Sequence, residues 1–200
     1  LTSDINKICV ILAAGPSLDL NLQKLKYKRD LYYVIATDTA YLSAKKNNIF
    51  IDAVVSLDGQ MTSLNHFMTP TDNSTIFFFD WSSNSSLVRK TKKNTNKIIF
   101  FRDGHPLSNL LYSGNELSPY IYSGAGTVTI SALDIAFQMG FKKIEVWGAD
   151  FSYLDNKCYA KGTYLDILYN KNSNKINSSE KTFSKLMYRT DLLKNKQITT

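Results

Sequence analysis

The sequence is poor in the residue types that usually carry metal or redox chemistry. Its 200 residues include two cysteines, Cys9 and Cys158, and two histidines, His66 and His105. Two isolated cysteines are too few for a disulfide framework and lack zinc-ligand spacing, so we expect a reducing compartment and no metal site. No His-Glu-x-x-His, Cys-x-x-Cys or Gly-Lys-Ser/Thr motif occurs. These absences argue against zinc chemistry and P-loop hydrolysis.

Long apolar runs are missing as well. No stretch approaches the roughly 20 apolar residues of a membrane-spanning helix, and the first residues do not form a signal peptide. We therefore expect a cytoplasmic protein without a membrane span. The sequence does not begin with Met, which is compatible with a piece of a longer protein.

The chain is basic, with a formal net charge of +7. Its lysines are scattered in pairs such as Lys45-Lys46 and Lys142-Lys143 and form no long run. Nucleic-acid-binding domains usually cluster such residues on one face, so we expect no nucleic-acid partner. The positive charge favours anionic nucleotides or sugars instead.

Short apolar runs of strand character alternate along the chain with helical or polar segments. This alternation predicts an α/β fold, Rossmann-like, with a mostly parallel sheet and helices on both faces. The strands are predicted at residues 8–12, 33–36, 53–57, 76–79, 98–101 and 144–147. Helices are predicted at residues 20–25, 39–46 and 127–139, the last apolar nearly all round and therefore buried.

The sequence divides into two predicted regions. Residues 1–166 are interpreted as a Rossmann-like nucleotide-binding domain. Residues 167–200 are interpreted as a polar loop and a helical tail, with a weak helix at 180–193, that lead to a missing domain. The polar segment 153–179 has the composition of a loop or lid. Its tyrosines can stack on a base, donate to a phosphate, or simply pack the loop onto the sheet, and they are Tyr153, Tyr159 and Tyr164.

An aspartate follows most of the predicted strands. Ligands of parallel sheets bind beyond the carboxyl ends of the strands, so these aspartates are candidate site residues. Aspartate after a strand is also an ordinary cap or turn residue, and we expect roughly two or three of the five to serve that way. The five are Asp38, Asp58, Asp80, Asp103 and Asp150.

Two glycine-containing turns are candidate phosphate sites. The first follows the first strand, where Gly15 permits close backbone approach and Ser17 offers a hydroxyl and a helix cap. The second opens the helix at 127–139, whose N-terminus presents N–H groups and a positive dipole end. A purely structural turn is the alternative in both places. The candidate nucleotide-binding residues are Gly15, Pro16, Ser17, Asp38, Ser123, Gly124, Gly126 and Thr127.

Four sequence blocks, in this order, resemble one known family. They are Ala-Gly-Pro-Ser-Leu at 14–18, Ala-Thr-Asp-Thr-Ala at 36–40, Asp-Ala-Val-Val-Ser-Leu-Asp at 52–58, and the run 123–153 continued by Tyr-Ala-Lys-Gly-Thr at 159–163. They are similar to the domain shared by flagellar motility accessory factors, which are flagellin glycosyltransferases, and archaeal 6-hydroxymethylpterin diphosphokinases of the MptE type. The resemblance covers most of residues 8–164. It implies a nucleotide held by both glycine turns, with Asp38, Asp58 and Asp150 lining the cleft.

A more distant resemblance leads to the bacterial lipooligosaccharide sialyltransferases. Gly-Pro-Ser-Leu and Gly-x-Asp-Phe-Tyr blocks occur there too, in loops that bind a cytidine nucleotide sugar. Tyr159 matches one phosphate-binding tyrosine of that family, whereas Ser152 stands in place of another. The family's catalytic histidine has no counterpart, because no histidine follows His105. This departure argues against sialyl transfer by the same mechanism.

The resemblance implies a nucleotide-dependent transferase, and three functions stay open. The first is glycosyl transfer from a CMP-activated nonulosonic acid, a sialic-acid-like sugar, to a protein such as flagellin or to a glycan. Its candidate catalytic residues are Asp150, Asp58 and Tyr159. The second is diphosphate transfer from ATP to a hydroxymethylpterin, in which Asp38, Asp58 and Asp150 would hold Mg²⁺. The third is a non-catalytic nucleotide- or sugar-binding domain of a larger protein. No tightly bound cofactor is expected.

Overall fold

The computed structural model describes residues 6–106, 118–124, 126–155 and 157–171, together with positions 173, 178, 181, 183 and 184. Within them, one parallel sheet is built from β1 Ile8–Leu12, β2 Tyr32–Thr37, β3 Ala53–Ser56, β4 Ile76–Asp80, β5 Ile98–Phe101 and β6 Ile144–Trp147. The helices are α1 Leu18–Tyr27, α2 Asp38–Lys46, α3 Ser85–Lys92, α4 Val128–Gln138 and α5 Tyr164–Lys171, with 3₁₀ helices at Arg29–Leu31 and Met61–Phe67. The predicted Rossmann-like α/β fold is confirmed.

The inner strands of this sheet, β1 to β4, are buried on both faces. In β1, Val10 and Leu12 pack into the hydrophobic cluster that also contains residues of α1, α2 and α3. Cys9 and Ile11 face the opposite cluster, which contains the buried side of α4. A strand covered on both sides needs apolar residues at every position, which explains the unbroken run in the sequence.

The strand order creates a crevice beside β1. The order is β5-β4-β3-β2-β1-β6, so the chain steps outward from β1 to β5 and then returns to the other side of β1. Helix α1, which follows β1, and helix α4, which precedes β6, lie on opposite faces of the sheet. Ligands of open parallel sheets bind at such a reversal point, beyond the carboxyl ends of the two strands.

Helix α4 differs from its prediction as an all-round buried helix. Small residues, including Ala132 and Ala136, are fully buried against the sheet, whereas Phe137 is 73% exposed. A helix packed on one side of a sheet buries one stripe, and small residues let its backbone come close. Its overall hydrophobicity therefore did not reveal which side packs.

Part of the segment after β6 differs from the predicted loop or lid, because it contains a helix. Residues 164–171 form α5, and the chain before it is tied to the sheet layers by three hydrogen bonds. The Ala160 N–H donates to the Ala14 carbonyl at 2.9 Å, the Lys161 N–H to Asp19 Oδ1 at 2.9 Å, and Ser43 Oγ to the Lys161 carbonyl at 2.7 Å. These bonds hold residues 160 and 161 against the β1 turn, α1 and α2.

The start of α5 had a signal in the sequence that the loop interpretation missed. Thr163 Oγ1 accepts the Asp166 N–H at 3.2 Å, and Asp166 Oδ2 accepts the Gly162 N–H at 2.8 Å. A Thr-x-x-Asp spacing with reciprocal bonds of this kind marks a helix N-terminus.

The C-terminal part of the sequence is only partly described. The helical tail predicted for 180–193 lies outside the described residues, apart from positions 181, 183 and 184. The domain boundary after residue 166 stays a prediction. Within the described part of the chain, no helix has the length and apolar character needed to cross a membrane.

Candidate functional site

A cleft of about 480 Å³ lies at the carboxyl ends of β1 and β6. It is enclosed by the turn after β1, the end of β2, the start of α4 and the segment after β6. These segments contribute residues 13–15, Thr37, Thr39, residues 127–129, residues 148–153, Cys158 and Tyr159. The cleft is therefore at the reversal point of strand order, where the fold places ligands.

The turns after β1 and β6 are in direct backbone contact. The Gly15 N–H donates to the Gly148 carbonyl and the Ala13 N–H to the Trp147 carbonyl, both at 2.8 Å. Gly148 has φ +77°, and a Cβ there would lie far inside van der Waals contact with the Ala13 carbonyl oxygen. A Cβ on Gly15 would lie 2.5 Å from Asp150 Oδ2. Both positions require glycine, because another side chain would separate the two turns.

Asp150 is bound to the start of α1 through both carboxylate oxygens. Oδ2 accepts the Ser17 N–H at 2.8 Å, and Oδ1 accepts the Ser17 hydroxyl. A carboxylate is favourable at this helix N-terminus because it satisfies an N–H group and complements the dipole. The expectation that the Ser17 side chain caps α1 is wrong, since this hydroxyl donates to Asp150 and makes no capping bond.

The first turn of α4 lines the other side of the cleft. Thr127 is the N-cap, and its hydroxyl accepts the Thr129 N–H at 3.4 Å. Gly126, immediately before it, has φ +72°. The positive end of the helix dipole and the hydroxyl groups of the neighbouring threonines suit an anion such as a phosphate.

The cleft carries little side-chain charge. Among its described lining residues, Asp150 is the one acidic side chain, and there is no lysine, arginine or histidine. Burial raises the pKa of Cys158 to about 11, so its thiol stays protonated at neutral pH and is a poor nucleophile. An anion in this cleft would be held by N–H and O–H donors.

The structure brings together part of the predicted site. Gly15, Thr127, Asp150 and Tyr159 line the cleft, and Ser17 reaches it through Asp150. Four further candidates do not belong to the lining. Pro16 and Gly126 are next to lining residues in sequence, whereas Ser123 and Gly124 are four and three positions before Thr127. Lining residues that the sequence interpretation did not assign include Thr37, Thr39, Thr129 and Phe151. The threonines offer no distinctive sequence signal, because threonine is common in strands and at helix starts.

Asp38 and Asp58 lie outside the cleft lining. Asp38 is 2% exposed, and its oxygens accept the Thr39 N–H at 2.7 Å and the Ser56 hydroxyl at 2.8 Å. Burial raises the pKa of Asp38 above its ordinary value. Asp58 accepts the Gln60 N–H at 2.8 Å. The predicted nucleotide contact of Asp38 and catalytic role of Asp58 stay predictions.

Three strand-end aspartates form local turns. Asp58, Asp80 and Asp103 each accept an N–H from the residue two positions on, at 2.8, 2.6 and 2.9 Å. This is the usual hydrogen bond of an aspartate turn. The count agrees with the expected two or three, but the sequence did not indicate which ones.

His66 is buried near Asp38 and Asp58. It is 9% exposed, its ring meets Tyr164 edge-on at 5.8 Å between centroids, and its Nδ1 has no hydrogen-bond partner among the described residues. Tyr164 therefore packs α5 onto this histidine instead of lining the cleft. Burial lowers the pKa of His66, while the negative charges of Asp38 and Asp58 oppose that shift.

This burial predicts a pH dependence of stability. Because burial lowers the folded-state pKa of His66 below its ordinary value of 6.5, the folded protein binds this proton less readily than the unfolded chain does. The contribution of His66 to stability is therefore complete above that pH, where the ring is neutral in both states. The contribution is lost as the pH falls, by up to about 1.4 kcal/mol per pH unit. In urea unfolding between about pH 5 and 8, His66→Gln should remove this slope. Asp38, whose raised pKa has the opposite effect, is present in both proteins, but its pKa rises further once the His66 charge is removed. Parallel stability curves for the two proteins would contradict the assignment.

Comparison with known proteins identifies the family. The sequence matches the family described as 6-hydroxymethylpterin diphosphokinase MptE-like over residues 1–156. The chain belongs to this MptE-like family. The resemblance inferred from the four sequence blocks is confirmed, and the family match covers the turns after β1 and β6 as well as the start of α4.

The MptE-like chain is also similar in sequence to individual proteins that are longer than the matched part. An uncharacterized protein of Treponema pallidum (strain Nichols) is 34% identical over 143 residues, which is 71% of this chain and 49% of the relative. A second uncharacterized protein of the same organism is 31% identical over 86 residues, 36% of this chain and 41% of the relative. The chain thus spans about half the length of these relatives or less.

A solved structure shares the fold. It is the MAf glycosyltransferase from Magnetospirillum magneticum AMB-1, with a TM-score of 0.62 and 17% sequence identity. The match covers 74% of this chain and 24% of the glycosyltransferase. This likeness confirms that the motility accessory factor and the MptE-like chain have the same architecture in this region.

Proposed function

We propose that this MptE-like domain binds a nucleotide sugar in the cleft between β1 and β6 and serves a glycosyltransferase. The proposed reaction is transfer of a CMP-activated nonulosonic acid to a hydroxyl of a protein such as flagellin, or of a glycan. The single observation that carries this proposal is the cleft itself, in which the α4 N-terminus and the β1 glycine turn converge. The MAf glycosyltransferase fold supports the choice of glycosyl transfer.

The lining suits the departure of CMP from the sugar. As the bond to the sugar breaks, negative charge grows on the CMP phosphate, and groups that stabilise this charge lower the barrier. The N–H groups and hydroxyl of the α4 start and the Tyr159 hydroxyl are the proposed donors. Tyr159 is well placed for this role because hydrogen bonds of Ala160 and Lys161 hold its segment against α1 and the β1 turn.

The proposed role of Asp150 follows from its hydrogen bonds. Both of its oxygens are engaged by Ser17, so it holds the β1 turn in place before substrate arrives. To accept a proton from an acceptor hydroxyl it would have to exchange one Ser17 bond for that hydroxyl. We therefore propose Asp150 first as a residue that orients the turn and the ribose, and second as a base. Asp58 is the alternative base.

Diphosphate transfer from ATP to a hydroxymethylpterin is the second candidate function. The family match, described as a pterin diphosphokinase, favours it. Mg²⁺ bridging ATP phosphates would need carboxylate ligands, and Asp38, Asp58 and Asp150 are the proposed ones. In the described residues, however, no three potential ligands converge on one point, and the cleft itself offers one carboxylate. This donor set fits a nucleotide sugar better than a metal–ATP complex.

Calorimetric titration with CMP, CDP, ATP and GTP, each with and without Mg²⁺, tests the proposal. We expect binding of CMP in preference to ATP, with an affinity that Mg²⁺ does not change. Binding of ATP only with Mg²⁺ would favour diphosphate transfer. Failure to bind any of the four would overturn the nucleotide site.

Gly126→Ala should weaken CMP binding about tenfold or more, because a strained loop misplaces N–H groups that contact the phosphate. Gly140→Ala is a matched control, since both glycines have positive φ, +72° and +88°, and at neither would a Cβ have an atom within 4 Å. Both variants should therefore lose similar stability, but only Gly126→Ala should lose affinity in the calorimeter. Equal CMP affinity in the two variants would remove this loop from the site.

A further inference from the structure

Phe151 combines two unfavourable features at the edge of the cleft. Its side chain lines the cleft but is 69% exposed, and its backbone has φ +47°. A bulky residue rarely adopts this left-handed conformation, because its Cβ crowds the backbone. An exposed aromatic ring also forgoes the stabilisation of burial.

The surrounding turn imposes this conformation. The chain leaves β6 through Gly148, at φ +77°, and Asp150 is fixed by its two hydrogen bonds to Ser17. The residue after Asp150 is therefore placed at the cleft lining. Strain that the surrounding structure maintains is typical of ligand-binding positions. Glycine would fit this backbone better, so the presence of phenylalanine points to a use for its ring.

A phenyl ring has no conventional hydrogen-bond donor or acceptor, and this limits the kinds of ligand group that it can bind. It presents a flat apolar face, which matches a planar aromatic group. Thr127 adds a hydroxyl group at the start of α4 that suits ribose or phosphate, whereas the Thr37 and Thr39 hydroxyls already donate to the Leu12 carbonyl and to Asp38 Oδ1. In a nucleotide sugar, the base is the planar aromatic part.

We infer that Phe151 is the platform on which the nucleotide base stacks. This inference rests on the proposed nucleotide site. Stacking on an aromatic ring tolerates every base, because each has a π-face. Phe151 thus supplies affinity for the nucleoside and little choice between bases.

Three substitutions test the platform by calorimetry with CMP. Phe151→Trp keeps an aromatic face and should retain affinity within about threefold, whereas Phe151→Ala should weaken binding by about fivefold to 150-fold. Phe151→Leu keeps an apolar side chain without the π-face and should behave like alanine. Wild-type affinity in the leucine or alanine variant would overturn the inference while the nucleotide site stands. Absence of CMP binding to the wild-type protein would overturn both.

Thermal unfolding adds a readout that separates function from folding. Phe151→Gly should lose affinity like alanine but melt about 2–4 °C higher than Phe151→Ala, because glycine accepts the positive φ without strain. A glycine variant that melts below the alanine variant would show that this turn does not strain residue 151. In that case the argument for a functional ring would fail.

Discussion

Gly148→Ala should lower the free energy of unfolding by about 2–5 kcal/mol. Part of this loss comes from the backbone, because Gly148 has φ +77°, a conformation that costs a residue with Cβ about 1–2 kcal/mol. The rest comes from collision of the new Cβ with the Ala13 carbonyl and with Leu18 Cβ, which would lie 2.9 Å away. A backbone carbonyl cannot rotate aside as a flexible side chain does. The turns after β1 and β6 would have to separate.

Gly140→Ala isolates the collision. Gly140 has a similar positive φ, +88°, but no atom lies within 4 Å of its Cβ position. Its replacement should therefore lose only the backbone contribution of about 1–2 kcal/mol. Urea unfolding of both variants measures the difference directly. Equal losses would mean that the close contact between the two turns can relax, and that Gly148 is not required there for steric reasons.

The predicted strand positions were accurate because of how this sheet is buried. The strands β1, β5 and β6 begin and end at the predicted residues, and the ends of the other strands differ from the prediction by at most one residue. A strand covered on both faces shows as a continuous apolar run between polar turns. The sequence of helix α4 does not indicate which side of the helix packs against the sheet, because nearly all of its surface is apolar although only one stripe is buried. Phe137 is consequently on the outside.

Only those parts of the candidate site that lie at the ends of strands could be predicted from the sequence. Gly15 and Asp150 could be placed near each other because parallel strands end at the same edge of a sheet. The bond between Ser17 and Asp150, 133 residues apart in sequence, depends on β6 returning beside β1, and strand order is not visible in the local pattern. Likewise, whether Asp58 faces the cleft or closes a turn is decided by side-chain geometry.

Asp150→Ala is expected to destabilise the fold by about 1.5–3 kcal/mol, because it removes a charged acceptor and leaves the Ser17 N–H without a hydrogen-bond partner from residue 150. Ser17→Ala removes only the hydroxyl bond and should cost about half as much. The double variant should lose less than the sum of the two single losses, since both remove the same bond between Oγ and Oδ1. Urea unfolding of the four proteins gives this coupling. Simple additivity would show that the bond adds nothing to stability.

Asp150→Asn separates the positioning role of this residue from a role as base. An amide keeps one oxygen for the Ser17 N–H, and its NH₂ group can donate to the Ser17 hydroxyl, so stability should stay within about 1 kcal/mol of wild type. An amide cannot accept a proton from an acceptor hydroxyl. If Asp150 were the base, turnover in Asp150→Asn should fall by at least about 100-fold while CMP affinity stays unchanged. If Asp150 only positions the β1 turn, we expect the asparagine variant to retain most activity. Under that positioning role, Asp150→Ala should lose CMP affinity together with stability.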